Sequence, residues 1–518
     1  MKKAYHCWIQ SKNNLPERMK INWFVISCLL VIIFGAFIRL NKLGFTFFID
    51  EIWAVDFVAN RNYVPHEIPS PPIFFYLTKT LLYLKHATNT ATFRQVAFMS
   101  GVMLTAVPLL AWPFLKPMVD RITIFIWTFL LAFSSPIIFY SARVKQYTTE
   151  ALGSIIIICL FIYTSNELLD FKRWRLFFLA SIFFVVALHS PIFVLSSTLV
   201  GFLFLIFSNF RHTVLEKSIL FKRVVLGYLI VFVSFALAYL GYLKPGQAVT
   251  DYFGDLYQYF STGNFAKEPL YWDGSLNFAF RKTVFWVGQM LNLTRGFLVL
   301  AAGAVTLFLF SSSKDYGRNA RWALSLVCLF SAFVPLVASY LKVYPYGEVR
   351  LLIYAAPGLY LLVSLGLSCL IKHLMGGRLL KIGLLPIATL LLLFLHNGVV
   401  KDTYNSTYMN VQDLKLLYGF LIDNYKQGEL IFSPDFYSSA LVYYVPEVRG
   451  SIRERNGKLY DYVETNATSK FWVLGEKKDQ LWHEIESKYE KDCILEYQNM
   501  RLVRYGPIRV VTNSREKL

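Results

Sequence analysis

Two adjacent carboxylates, Asp50 and Glu51, lie in the stretch Phe47-Phe48-Ile49-Asp50-Glu51-Ile52-Trp53, just beyond the first long apolar run, Ile21 to Leu40. No other neighbouring acids occur in the first hundred residues. An acid beside a membrane helix is commonly a solvated charge or a helix-start charge that suits the dipole. Here aromatic residues frame the pair inside a loop with helices of its own, which favours chemistry. A carboxylate so placed can act as a general base toward a hydroxyl. Asp50 is the candidate base, and Glu51 the candidate group beside it that orients the acceptor or merely starts a helix. A second set is Arg143, Lys145 and Tyr147 in Ser141-Ala142-Arg143-Val144-Lys145-Gln146-Tyr147. One polar turn between two apolar runs has no structural need for two cations. They either snorkel to lipid headgroups or bind phosphate oxygens, with the Tyr147 hydroxyl as a further donor. Arg350, at the end of Tyr344-Pro345-Tyr346-Gly347-Glu348-Val349-Arg350, poses the same two alternatives. His189 reads as a helix-end histidine. Asp251, Asp255, Glu268 and Asp273 form either an acceptor-binding surface or a solvated loop.

The elements that must position these residues are membrane helices. The chain has 518 residues, 56% hydrophobic and only 16% charged, against about 25% charged in a soluble domain. Many stretches approach or exceed the roughly 18 apolar residues needed to cross a bilayer. The formal net charge of +19 lies entirely in residues 1–400, because residues 401–518 carry 17 basic and 17 acidic side chains. Basic residues scattered among apolar runs fit topology and anionic lipid, not nucleic acid. The six cysteines show no CxxC or metal-ligand spacing. No metal or other cofactor is indicated.

Apolar periodicity predicts about eleven transmembrane helices, near 21–41, 95–115, 122–140, 148–163, 176–188, 191–207, 224–243, 296–311, 322–341, 351–371 and 382–400. A large first outer loop, 42–93, contains a short interfacial helix started by Pro71-Pro72. With the N-terminus inside, the inner segments hold 20 Lys and Arg and the short outer turns 141–147, 189–190 and 342–350 hold four. That asymmetry is the positive-inside pattern. It puts Asp50-Glu51, Arg143, Lys145, His189 and Arg350 on one outer face, with the C-terminal domain, 401–518, outside as well. In that domain an amphipathic helix over 411–425, strands over 429–433 and 470–474, a helix over 477–491 and a hairpin about Gln498-Asn499 make a small α/β unit.

An outer-face carboxylate, outer-face cations and an interfacial groove suit a substrate with a phosphate at the membrane surface and a lipid tail. At these residues the sequence resembles the GT-C glycosyltransferases that use polyprenyl-phosphate sugars, in particular the protein O-mannosyltransferase, aminoarabinose-transferase and rhizobial lipopolysaccharide-sugar-transferase group. The marks are Asp50-Glu51, Pro71-Pro72, Arg94, Ser135-Pro136, Tyr140 through Tyr147, Tyr344-Pro345 through Arg350, and Pro357, spread over residues 21 to about 365. The resemblance implies a multi-pass GT-C fold over 1–400 with a separate C-terminal domain. It implies Asp50 as catalytic base and a donor-phosphate role for Arg143, Lys145 and Arg350; attack on the sugar C1 from the face opposite the phosphate would invert that centre. It also implies a polyprenyl-phosphate sugar donor, a glycan, lipid or protein acceptor, and membrane-lipid surroundings. Ser70 stands where the family often has histidine before the two prolines. A multi-pass transporter, or a flippase or ligase of lipid-linked glycans, is the alternative.

Overall fold

The computed structural model describes chiefly residues 23–40, 71–86, 90–116, 118–208, 213–244, 274–291, 318–341, 351–373, 415–433, 445–454, 470–476, 481–497 and 500–508, with single positions such as Glu51 between them. Helix α1 (Trp23–Leu40) opens the bundle. Helix α2 (Pro72–Lys85) follows the first loop, its first position filled by Pro72, where the missing N–H costs nothing. Helices α3 (Thr90–Leu115), α4 (Arg121–Phe133), α5 (Ser135–Ser141) and α6 (Tyr147–Ser165) form the centre. Helices α7 (Phe171–Leu188), α8 (Pro191–Ser208) and α9 (Val214–Ala238) continue it, with α9 running on into a wider turn at Tyr239–Leu243. Amphipathic α10 (Leu276–Leu291), α11 (Arg318–Tyr340) and α12 (Ile353–His373) complete the described bundle.

Six of the described helices are long and apolar enough to cross a membrane, or seven if α4 and α5 count as one bent span. The chain is therefore a multi-pass helical membrane protein. Two corrections apply to the expected helices. The span expected as one helix over 122–140 is broken at Ser134, and its two arms differ in direction by 56°. The cause is local. Pro136 cannot donate to the preceding turn, and Ser134 takes over by capping α5 through its hydroxyl to the Ile137 N–H. Helix α7 starts earlier than expected, at Phe171, so Lys172 and Arg173 lie in its first turn and Arg175 at the start of its second. The helices expected at 296–311 and 382–400 fall largely or wholly outside the described residues.

The break exposes the last carbonyls of α4 in the bundle interior, where water cannot satisfy them. Arg39, fully buried at the end of α1, does so instead. Its guanidinium donates to Leu131 O and Ala132 O, both at 3.0 Å, and to its own helix at Gly35 O. Its Nε reaches Ser141 Oγ at 3.2 Å, so one side chain ties α1 to both arms of the break. Close approach is needed for this. A Cβ on Gly101 of α3 would meet Ser141 Oγ at 2.1 Å, so only glycine lets α3 and α5 pack there.

The polar ties sort into two ends of the bundle. At one end Asn166 holds Phe114 O, Asn319 holds Ser208 O and Arg223 reaches Leu168 O. There Asp120 caps α4 through the Thr123 N–H, accepts from Ser368 Oγ and pairs with Lys372 at 2.9 Å. At the other end Glu51 meets Arg143, Glu150 meets Ser190, and Phe193 packs on Tyr344. The segments expected on opposite sides of the membrane are thus gathered at opposite ends.

Beyond the bundle, α13 (Lys415–Asn424) and α14 (Leu481–Lys488) accompany a five-stranded sheet of order β2-β1-β3-β5-β4. Its strands are β1 (Leu430–Ser433), β2 (Ile452–Glu454), β3 (Phe471–Glu476), β4 (Tyr489–Tyr497) and β5 (Met500–Ile508). β1 runs parallel to β2 and β3, while β5 is antiparallel to β3 and β4. The expected hairpin is present, Tyr497 facing Met500. The helix expected over 477–491 yields to strand at Tyr489, because pairing to β5 extends back to Ile508. An apolar cluster links this domain to the first loop: Val55, Phe75 and Val144 belong to the same cluster as Leu417, Ile431 and Trp472.

Burial pushes the Asp120 carboxyl up, but the Thr123 N–H, Lys372 and Ser368 outweigh it, and the group sits below its ordinary value. A depressed carboxylate stabilises the fold above its unfolded value and loses that contribution as pH falls through the folded one. Asp120→Asn is expected to lower stability by about 1 kcal/mol at pH 7. The gap between variant and native protein closes as pH falls below the carboxylate range, read as thermal unfolding in detergent across pH.

Candidate functional site

Glu51 is fully buried, and its carboxylate accepts four hydrogen bonds. Arg94, in the second turn of α3, grips it with a fork: Nε to Oε1 at 2.9 Å and Nη2 to Oε2 at 2.8 Å. Arg143 Nη1 donates to Oε2 at 2.7 Å, and the Val144 N–H donates to Oε1 at 2.8 Å. Two carboxylate oxygens offer about four lone-pair sites, so the group is saturated. Arg94 also donates to Leu43 O at 3.1 Å, which fastens the chain just after α1.

The local sequence explains each placement. Arg94 rides on an apolar helix face between Phe93 and Val96, both buried. Arg143 is delivered by the short arm α5, whose direction is set by the break at Ser134, and its guanidinium lies over the Phe139 ring at 4.5 Å. The link from Ala142 to Gln146 then turns into α6. There Thr148 donates to Ala97 O, and Ser100 and Thr149 share a hydrogen bond, so α6 is pinned to α3 within one turn of the link. Tyr147 is buried, with its ring edge-on to Tyr140 at 5.0 Å. Lys145 is half-buried in the same link.

Two of the expected residues, Arg143 and Lys145, therefore occupy one short link, Tyr147 follows it as the first residue of α6, and Glu51 holds that link directly. Asp50, next to Glu51 in the chain, and Arg350 lie outside the described residues, as do Asp251, Asp255, Glu268 and Asp273. The described part of the 342–350 segment packs at this end: Tyr344 donates to Leu351 O, and Tyr346 shares a 2.7 Å hydrogen bond with Thr283 of α10. Burial lifts the Tyr346 phenol above its usual value, although the Thr283 bond lowers it in part, so it stays a neutral hydroxyl. His189 ends α7 with positive φ and lies against Tyr242, as expected of a helix-end residue. Among the described residues no three His, Cys, Asp or Glu side chains are grouped to hold a metal.

Sequence reading missed the partner of Glu51. Arg94 enters that reading only as one of the marks of the resemblance. Its signal was available, because an arginine in the first turns of an apolar helix needs a buried acid or carbonyls nearby.

No protein-family model and no curated protein matches the sequence. Solved structures do resemble the fold. ArnT from Cupriavidus metallidurans in the apo state aligns over 92% of this chain and 97% of its own, with TM-score 0.53 and 10% identity. The same protein bound to undecaprenyl phosphate gives TM-score 0.51 over the same shares, also at 10% identity. The Archaeoglobus fulgidus oligosaccharyltransferase tethered to an acceptor peptide aligns over 88% of this chain and 69% of its own, with TM-score 0.50 and 12% identity. The fold is of the GT-C type. The cluster just described sits in that fold where α1, α3 and the α5–α6 link converge.

Glu51→Gln keeps the size of the side chain but removes the charge that two buried guanidiniums face. It is expected to cost about 3–5 kcal/mol, read as thermal unfolding of the purified protein. A loss under about 1 kcal/mol, the range of an exposed pair, would show that Glu51 does not hold this end together.

Proposed function

We propose that the chain is an inverting glycosyltransferase that moves a sugar from a polyprenyl-phosphate donor to a glycan, lipid or protein acceptor at the outer face of a cell membrane. The catalytic unit spans 1–400, with the N-terminus cytoplasmic and 401–518 extracytoplasmic. The observation that carries this reading is the Glu51 hub. A saturated, buried carboxylate fixes a cationic link beside the position of Asp50 in the chain. Glu51, Arg94 and Arg143 together carry one net positive charge, a setting that favours phosphate. Two structural likenesses support it: the Cupriavidus protein is bound to undecaprenyl phosphate in one solved structure, and the Archaeoglobus protein is an oligosaccharyltransferase.

In this reading Glu51 is occupied as an anchor, so the base is Asp50. Its carboxylate takes the proton of the acceptor hydroxyl. The acceptor oxygen attacks the sugar C1 from the face opposite the phosphate. The C1–O bond breaks, and its electron pair stays on the lipid phosphate. Arg143 and Lys145, with Arg350 and the Tyr147 hydroxyl, stabilise the charge that develops there. Phosphate leaves without a separate acid. The C-terminal domain shares an apolar cluster with the first loop and steadies that loop from outside.

Asp50→Asn is expected to abolish transfer, by roughly 10²–10⁴-fold or more, while the protein inserts and purifies normally. Glycan and lipid profiles of a deletion strain complemented with native protein or this variant give the readout. Full complementation by Asp50→Asn would remove Asp50 from the mechanism. Lys145→Ala is expected to raise KM for the donor, measured by transfer kinetics.

A further inference from the structure

At the Glu51 end of the bundle a second carboxylate is buried, and it faces no cation among the described residues. Glu150 stands in the first turn of α6 and is 5% exposed. Its Oε2 accepts from Ser190 Oγ at 2.8 Å, just before α8, its one side-chain hydrogen bond among the described residues. Three residues along α8, Phe193 stacks on Tyr354 in the first turn of α12, with centroids 5.3 Å apart and planes at 26°. Tyr354 is 1% exposed, and its hydroxyl has no hydrogen-bond partner among the described residues. That hydroxyl lies within electrostatic range of Glu150 and of the Tyr344 and Tyr346 hydroxyls. Gln146, one turn before Glu150, buries its Oε1 with no partner among the described residues either.

Buried polar groups are almost always hydrogen-bonded, so orphans gathered near one carboxylate call for an explanation. The fold itself draws nothing from the Tyr354 hydroxyl. A ligand would. The groups available are a carboxylate with spare lone pairs, an amide oxygen, and a hydroxyl able to donate or accept. This set suits hydrogen-bond donors arrayed round a ring. It does not suit phosphate, whose oxygens only accept and would face a set made chiefly of acceptors. Glu150 is three residues past Tyr147, so it lies about 5 Å deeper along the helix axis than the cationic link. A sugar joined to a phosphate at that link would reach it.

We propose that Glu150, Tyr354 and Gln146 form the subsite that binds the ring hydroxyls of the donor's sugar and so selects which sugar is transferred. The proposal rests on the donor reading above. Glu150 and Tyr354 are then specificity-determining, with Ser190 positioning the carboxylate.

The test measures binding of the full-length protein in lipid nanodiscs to two kinds of probe. One is bare polyprenyl phosphate. The other is a panel of polyprenyl phosphates carrying hexoses or pentoses. The native protein is expected to bind at least one sugar-bearing lipid more tightly than the bare lipid. Tyr354→Phe deletes a hydroxyl with no protein partner, so it leaves the fold intact. It is expected to weaken the preferred sugar-bearing lipid about ten-fold and to leave the bare lipid unchanged. Glu150→Gln, which keeps the bond from Ser190, is expected to do the same. Equal weakening of both probes, or of neither, would overturn the subsite. So would native protein that binds bare lipid and shows no preference for any sugar. If native protein binds no polyprenyl phosphate of either kind, the donor reading itself fails.

Discussion

The structure depends on a carboxylate buried between two guanidiniums. Removing Glu51, Arg94 and Arg143 from water is costly, and their attraction offsets that cost only if the geometry is good and every lone pair is used. Here it is: the Arg94 fork is bidentate, Arg143 comes from the α5–α6 link, and a backbone N–H fills the fourth site. An arrangement of this kind tolerates little displacement. The first loop, the start of α3 and the α5–α6 link must therefore keep one relative position. An apolar cluster in the same place would hold these elements together less specifically, because apolar packing has no preferred direction.

The hub can form only because α5 points the right way, and that is settled lower in the bundle. A straight helix from Arg121 to Ser141 would carry the link elsewhere. The break at Ser134 redirects it, and Arg39 makes the break tolerable by taking the carbonyls it frees. A cation at a helix C-terminus is favoured by the dipole, and more strongly away from water. Tyr360 braces the same point, its hydroxyl within 2.6 Å of Ser134 Oγ and 2.5 Å of Met290 O. Two arginines that a hydropathy reading treats as flanking charges, Arg39 and Arg94, thus hold the frame on which the cationic link is mounted.

The parts legible in the sequence were those written in local chemistry. Pro71-Pro72 announced a helix start and Gln498-Asn499 a hairpin, and each is where expected. The positive-inside count sorted the loops into two groups, and the polar ties at the two ends follow that sorting. What stayed hidden was pairing over distance. Glu51 and Arg94 are 43 residues apart, Glu51 and Arg143 are 92 apart, and no local pattern links them. The bend at Ser134 was hidden too, because hydropathy is blind to direction: both arms are apolar and read as one span. In the C-terminal domain the start of β4, Tyr489 to Lys491, reads as the end of a helix, since Glu486 through Lys491 is charged enough to look like an exposed helix face, and only its partner strand reveals otherwise.

This division also explains how a fold can be shared at 10% identity. The middle of the bundle is packed from Phe, Leu, Ile and Val, which substitute for one another while volume and pattern are kept. Its sequence is therefore weakly constrained, and comparison by sequence alone has little to hold. Directional contacts are concentrated at the ends, in clusters of three or four side chains drawn from distant segments. Each cluster is short in every segment it touches, so it leaves scattered single residues and no continuous motif. The Asp-Glu pair after the first helix is one such trace. Its meaning comes from Arg94 and Arg143, which turn Glu51, one of the two acids, into an anchor.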